Sequence, residues 1–216
     1  MAQRPGWLRR CLRLAGAFLV GTPGLAAGQG HPADSVVYHL IPASRLDVKT
    51  GKAGLFGFAG HSHLIRAHAV TGRVALYPGA IATSHVELTV PSDSLEVLTP
   101  PDTAEIRKVT EAMRTEVLEV GQFPRIAFAS REVTSMQGGY HLRVALTLHG
   151  VTRDVPIDVA VRTTGDTLRA TGTFSVKQTD FGIKPFRGGP GGSVKVADRV
   201  TFNFEAIGVR VIPPAH

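Results

Sequence analysis

The sequence predicts an all-β protein, a single antiparallel barrel of eight or more strands with one inserted helix at about residues 102–118. Three observations predict it. Tyr140, Leu142, Val144, Leu146 and Leu148 alternate with His141, Arg143, Thr147 and His149, and after Gly150 the residues Val155, Ile157, Val159 and Val161 resume with opposite parity. Period two gives a strand one dry face and one wet face. A strand of nine or ten residues spans roughly 30 Å, long for an ordinary sheet but natural for a barrel wall. Compact turn signals at Gly138-Gly139 and Gly165-Asp166 join such runs into hairpins. Only one segment shows helical spacing.

Residues 1–28 have the layout of a secretory signal peptide that is removed. Arg4, Arg9, Arg10 and Arg13 form a basic leader, Leu12 to Val20 an apolar stretch, and Ala26 and Gly28 a small-residue cleavage region. The apolar stretch is shorter than the ~20 residues a membrane-spanning helix needs. Arg9-Arg10 invites a twin-arginine reading, but its flanking residues match that signal poorly. The leader holds four of the 24 basic residues and no acidic ones, leaving 20 against 17, a net charge of +3. A strongly basic surface for nucleic acid is not implied. Cys11, the only cysteine, falls in the leader and follows Leu8-Arg9-Arg10, which is no lipoprotein signal. The expected mature chain therefore has no disulfide and no lipid anchor. It must be held by its core, and the 188 residues after position 28 suffice, since a chain of that size buries roughly 70% of its unfolded surface.

Residues 29–34 read as a flexible polar lead-in, and residues 35–211 as the barrel. Val36, Tyr38 and Leu40, then Leu46 and Val48, alternate with polar neighbours and give two strands joined at Pro42-Ala43-Ser44. A glycine-punctuated stretch runs from Gly51 to Gly60. Ile65 to Tyr77 gives one long strand or two joined ones, with a bulge or bend expected at Gly72. Val86, Leu88 and Val90 mark the next strand. The helix follows Pro100-Pro101, with Asp102 as cap and Glu105 as the reciprocal partner of a capping box. Ile106, Val109, Met113 and Val117 form its apolar stripe, while Arg107, Lys108, Glu111 and Arg114 are expected to face water. The stripe should cover an open end or an outer face of the barrel. Further strands are expected at Arg125 to Val133, Thr167 to Lys177 and Val194 to Val209, with 212–216 as a tail. No internal repeat is evident, and the pattern argues for one barrel rather than two domains.

Three blocks carry a family resemblance: Val117 to Phe128 (VLEVGQFPRIAF), Leu146 to Val155 (LTLHGVTRDV), and Gly172-Thr173-Phe174 followed by Asp180-Phe181-Gly182-Ile183. In order and spacing they resemble the YceI-like family over nearly all of Ser35 to Arg210. The resemblance implies an eight-stranded, lipocalin-like antiparallel barrel, periplasmic or secreted, holding a long isoprenoid or other lipid chain inside. It supplies no compact ligand motif to carry across. Lys184 to Gly192 is more glycine-rich than the family pattern.

The ligand-binding residues are therefore read from parity. Ile126, Phe128, Leu142, Val144, Leu146, Phe174, Val176, Phe202 and Phe204 share the inward face of their strands. Eight strands leave an interior that is either filled by its own side chains or holds one small ligand, and the family resemblance favours the ligand. Phe181, Phe186 and the glycine-rich loop are read as a gate near the mouth, with ordinary loop packing as their other role. A chain of some 40 carbons would nominally gain about 30 kcal/mol at ~0.8 per buried CH₂. Noncovalent affinity saturates near 20 kcal/mol, so such a protein competes with a bilayer as a carrier or reservoir.

His61 and His63 stand two apart on one strand face and, with His68 or His85, form an alternative metal site. Rim histidines bonded to backbone are the plainer reading. Gly60-His61-Ser62-His63-Leu64 lacks the last glycine and the strand-turn-helix setting of a nucleophile elbow, Asp180-Phe181-Gly182 lacks the other kinase signatures, and Gly188 to Gly192 lacks the lysine of a phosphate loop. The expectation is an exported, non-catalytic carrier or reservoir for an isoprenoid-like or fatty-acyl lipid. It needs no cofactor and no nucleic acid, and it touches membranes only transiently. A metal-binding protein and a self-packed interaction module are the rivals.

Overall fold

The computed structural model describes residues 35–52, 62–99, 103–188 and 194–212. The strands in chain order are β1 (Val36–Leu40), β2 (Arg45–Lys52), β3 (Leu64–Ala67), β4 (Thr71–Leu76), β5 (His85–Pro91), β6 (Leu95–Val97), β7 (Arg125–Met136), β8 (Gly139–Leu148), β9 (Val151–Thr164), β10 (Thr167–Lys177), β11 (Arg187–Gly188) and β12 (Val194–Arg210). The ring β1-β4-β5-β7-β8-β9-β10-β12 closes where β12 returns to β1, with Tyr38 opposite Arg210 and Leu40 opposite Gly208. This is a closed, eight-stranded antiparallel barrel. The expected signal peptide and lead-in, the stretch from 53 to 61, the expected Asp102 cap and the end of the tail lie outside the described residues.

Three of the eight walls are bent strands. β2 continues β1 along β12, pairing Phe202 with Val48 and Phe204 with Leu46. Beside them β3 continues β4, and β6 continues β5. The breaks fall at residues 41–44, at 68–70 and at the 3₁₀ turn Ser92–Ser94. The run from Ile65 to Tyr77 is thus two joined strands, but its bend lies before Gly72. Gly72 sits within β4 at φ 153°, where a Cβ would come 2.1 Å from the Glu87 carbonyl oxygen. It permits a close approach of two backbones rather than a bulge.

The bulge lies instead in β7. Ser130 pairs with Val144 and Glu132 with Arg143, which leaves Arg131 as the extra residue. Inward parity therefore switches from Ile126 and Phe128 to Val133, and all three are buried. The β8–β9 hairpin closes in two residues, His149 and Gly150, at φ 51° and 72°. Two consecutive left-handed residues define the turn that matches the strand twist.

Helix α1 (Thr103–Ala112) runs on into a π-helical turn, Met113–Val117, closed by the Leu118 N–H donating to the Met113 carbonyl at 2.8 Å. The helix leaves the short β6 and lies across that end of the barrel. Met113 is buried in the core, with Val109 and Val117 packed beside it. Val97 N–H donates to Thr110 Oγ1 (3.1 Å), and Arg114 donates through Nε and Nη2 to the Leu95 carbonyl (3.1 and 2.9 Å). Arg114, expected in water, instead clamps the helix to the barrel, because its guanidinium reaches a carbonyl that β6 leaves unpaired.

Candidate functional site

Two cavities in the barrel interior have no lining residue in common among the described residues. The larger, about 520 Å³, lies beneath α1. The smaller, about 120 Å³, lies toward the opposite end. Ligand pockets usually measure about 300–1,000 Å³, so the larger qualifies alone and the smaller does not.

Three walls change cavity between successive inward residues. On β2, Leu46 faces the smaller cavity and Val48 the larger; on β12 the pair is Phe204 and Phe202; on β7 it is Phe128 and Ile126. At this level Phe174 on β10 stacks against Phe202, its direct cross-strand partner, with ring centroids 4.7 Å apart and planes 2° from parallel. Phe128 meets Phe174 edge-on at 6.3 Å. Offset stacks and edge contacts are the preferred geometries of aromatic quadrupoles, and they hold the rings across the bore.

The larger cavity is apolar in its depth, where Ile65, Leu95, Val97, Ile126, Leu148 and Met113 meet, and polar groups join its lining: Thr50, His63, Glu105, Lys108 and Gln178. His63 Nδ1 lies 2.8 Å from the Thr99 carbonyl, which can only accept, so Nδ1 carries the proton. Nε2 of the neutral ring is then an acceptor. Lys108 is exposed on α1 and forms no ion pair among the described residues. Gln178 is buried and donates through Nε2 to the Ala197 carbonyl at 2.9 Å.

The parity-predicted residues fall into three groups. Phe128, Leu142, Val144, Phe174 and Phe204 line the smaller cavity, and Ile126 and Phe202 the larger. Leu146, fully buried, and Val176 line neither and belong to the layer between. Phe181 also lines neither cavity. It is 1% exposed in the 3₁₀ turn Gln178–Phe181, which lies against β9 where β9 and β10 have parted. Arg153 Nε ties that turn to β9 through the Asp180 carbonyl at 3.1 Å. Phe186 does line the larger cavity, while residues 189–193 of the glycine-rich loop lie outside the described residues. Parity within strands could not find Val109, Met113 or Lys108, because they reach the cavity from the helix. The helical stripe was the available signal.

The histidines do not converge. His63 lines the inner cavity, whereas His68 pairs with Glu96 on the outer face, so one ion cannot be shared by both. His85 lies beside Tyr77, and His61 is outside the described residues. Among the described residues no three His, Cys, Asp or Glu side chains are placed to hold a metal. The outer wall carries ion pairs such as Arg73 with Glu87, Arg143 with Glu132, and Arg66 with Asp47. The hydrogen bonds from Arg66 to Asp47 raise its guanidinium above its ordinary pKa, against the effect of burial. Among the described residues no helix is long and apolar enough to cross a membrane.

A family model described as YceI-like domain matches residues 44–207. No curated protein matches the sequence. Among solved structures the fold is similar to Burkholderia cenocepacia BcnA, at 17% identity and TM-score 0.63, covering 78% of this chain and 98% of that one. It is also similar to a polyisoprenoid binding domain from Saccharophagus degradans implicated in plant cell wall breakdown, at 14% identity and TM-score 0.55, covering 81% and 98%. The Campylobacter jejuni YCEI protein matches at 13% identity and TM-score 0.52, covering 68% and 84%.

Proposed function

The chain belongs to the YceI-like family, and from that premise we propose that it is an exported, non-catalytic carrier or reservoir for a long apolar lipid of the isoprenoid or fatty-acyl type. The observation that carries the proposal is the cavity of about 520 Å³ beneath α1, enclosed by aliphatic and aromatic side chains and edged by a few polar groups. That is the composition of a site whose affinity comes from apolar burial and whose orientation comes from a few hydrogen bonds. The polyisoprenoid-binding name of the Saccharophagus degradans domain agrees with it.

In this reading the lipid enters at the helix end, its chain lies on Ile65, Ile126, Leu148 and Phe202, and its polar head stays near His63, Thr50 and Lys108. His63 Nε2 suits a hydroxyl donor, and Lys108 suits an anionic group. The leader supports export to the periplasm or beyond, where a carrier would meet membranes transiently. The test is to denature the purified protein, extract it into organic solvent for mass spectrometry, and analyse the same sample for metals. Stoichiometric lipid is the expected result. Metal without lipid, or neither, would sink the proposal.

A further inference from the structure

We infer that the Phe174–Phe202 stack, braced by Phe128, is a closed partition that sets the length of chain the barrel accepts, and that the smaller cavity is a reserve pocket for the distal end of longer chains. The inference rests on the carrier reading and deepens it.

Four observations support it. The two cavities share no lining residue among the described residues, and the buried side chains of Leu146 and Val176 line neither, so a layer of side chains stands between them. On β2, β7 and β12 the change of cavity falls between successive inward residues, and the Phe174 and Phe202 rings at that level stack in parallel at 4.7 Å. The smaller cavity is lined chiefly by aliphatic side chains, including Leu142, Val159, Leu168 and Ala170, and by Phe204. At about 120 Å³ it is too small to be a lipid site by itself. Finally, the rings that block the bore are held to one another by aromatic contacts, which a rotation of one side chain breaks without breaking the sheet. A chain that fills the cavity beneath α1 therefore meets a barrier that opens at modest cost, after which each further methylene is buried again.

The consequence is a break in chain-length dependence. Affinity rises with length until the larger cavity is full, then rises less steeply because the next carbons must displace the stack. The full chain, freed of lipid, is titrated with straight-chain fatty acids from octanoate to icosanoate, alongside F128L, F174L and A170L. Leucine keeps an apolar side chain while removing the flat face, and neither Phe128 nor Phe174 lines the larger cavity, so F128L and F174L should bind decanoate as the parent does. Their affinity for octadecanoate should rise about five- to tenfold, the size of one lost aromatic contact. A170L narrows the reserve pocket and should weaken octadecanoate alone. Unchanged octadecanoate-to-decanoate ratios in all three variants, in a protein that binds decanoate, would overturn the partition and leave the carrier reading standing. A parent protein that binds no fatty acid of the series, and yields no lipid on extraction, would overturn both.

Discussion

His149 and Glu119 are the only non-glycine residues with left-handed backbone among the described residues, and they bind one another: His149 Nε2 lies 2.9 Å from Glu119 Oε2. Phe123 adds its ring to the imidazole at a centroid distance of 4.1 Å and covers Gly150. The chain leaving the π-helical turn is therefore tied to the β8–β9 hairpin by two positions that each cost conformational energy. A carboxylate and two rings pin the end of the segment that roofs the larger cavity.

Replacing His149 tests that tie. His149→Ala keeps the left-handed cost and loses both contacts, so it should destabilise the protein by about 1–3 kcal/mol. His149→Gly loses the same contacts but accepts the backbone, and should recover about 1 kcal/mol of that loss. Chemical denaturation measures both, and hydrogen exchange should quicken at residues 118–123 before it does in β8. Equal losses in the two variants would refute the backbone argument.

Asp198 gives a pH dependence with a definite sign. Its carboxylate accepts the Thr179 N–H at 2.9 Å and the Thr179 hydroxyl at 2.8 Å, and the first of these is the main cause of a pKa below the usual carboxylate value. A depressed folded-state pKa means stability that is present above the unfolded pKa and lost as pH falls through the folded one. Asp198→Asn should therefore melt lower than the parent at neutral pH, with the gap closing in acid below the ordinary carboxylate range. The group is only partly buried and its charge is screened by water, so the gap will be small. Melting curves across pH would show it, and a constant gap would contradict the assignment.

Filling the larger cavity should separate binding from folding. Ala112 lines it from the helix and is only partly buried, so a large ring there can enter the empty space. Ala112→Trp is expected to lower the amount of co-purifying lipid at least about tenfold while leaving the melting temperature within a few degrees, since an occupied void costs little strain. Undiminished lipid in a folded variant would place the ligand elsewhere.

Gly72→Ala should be among the most damaging single-methyl changes. The new Cβ would stand 2.1 Å from the Glu87 carbonyl oxygen and 2.8 Å from the Leu88 Cα, neither of which can move without parting β4 from β5. A loss of about 3 kcal/mol or more is expected from backbone strain of this kind. Urea denaturation measures it.

Much of the barrel is legible because its walls are amphipathic at period two. Leu142, Val144 and Leu146 face inward as their alternation requires, and the turns at Gly138, Gly150 and Gly165 fall where glycine marks them. The limits are physical. The Arg131 bulge inverts parity with no turn residue to announce it, so Val133 belongs to the interior while the simple alternation stops short of it. Arg114 looks solvent-facing because charge predicts water, yet an unpaired carbonyl on β6 outbids it. The division of the interior depends on ring orientations and on Phe174 lying opposite Phe202, a register that alternation within one strand does not specify. Parity therefore collects residues of both cavities, and of the layer between, into one set.

The seam between Tyr38 and Arg210 also has a kinetic meaning. β12, at seventeen residues, is the shared neighbour of β1, β2, β10 and β11, so the first and last described strands meet only after almost the whole chain is available. Until then the growing sheet has two raw edges able to pair with any other strand. Contacts so distant in sequence make folding slow relative to a helical protein of similar stability. A chaperone that shields strand edges would thus matter most in the interval before β12 docks, whereas in the finished ring the outer edge of β6 is already met by Thr110 and Arg114 of the helical segment.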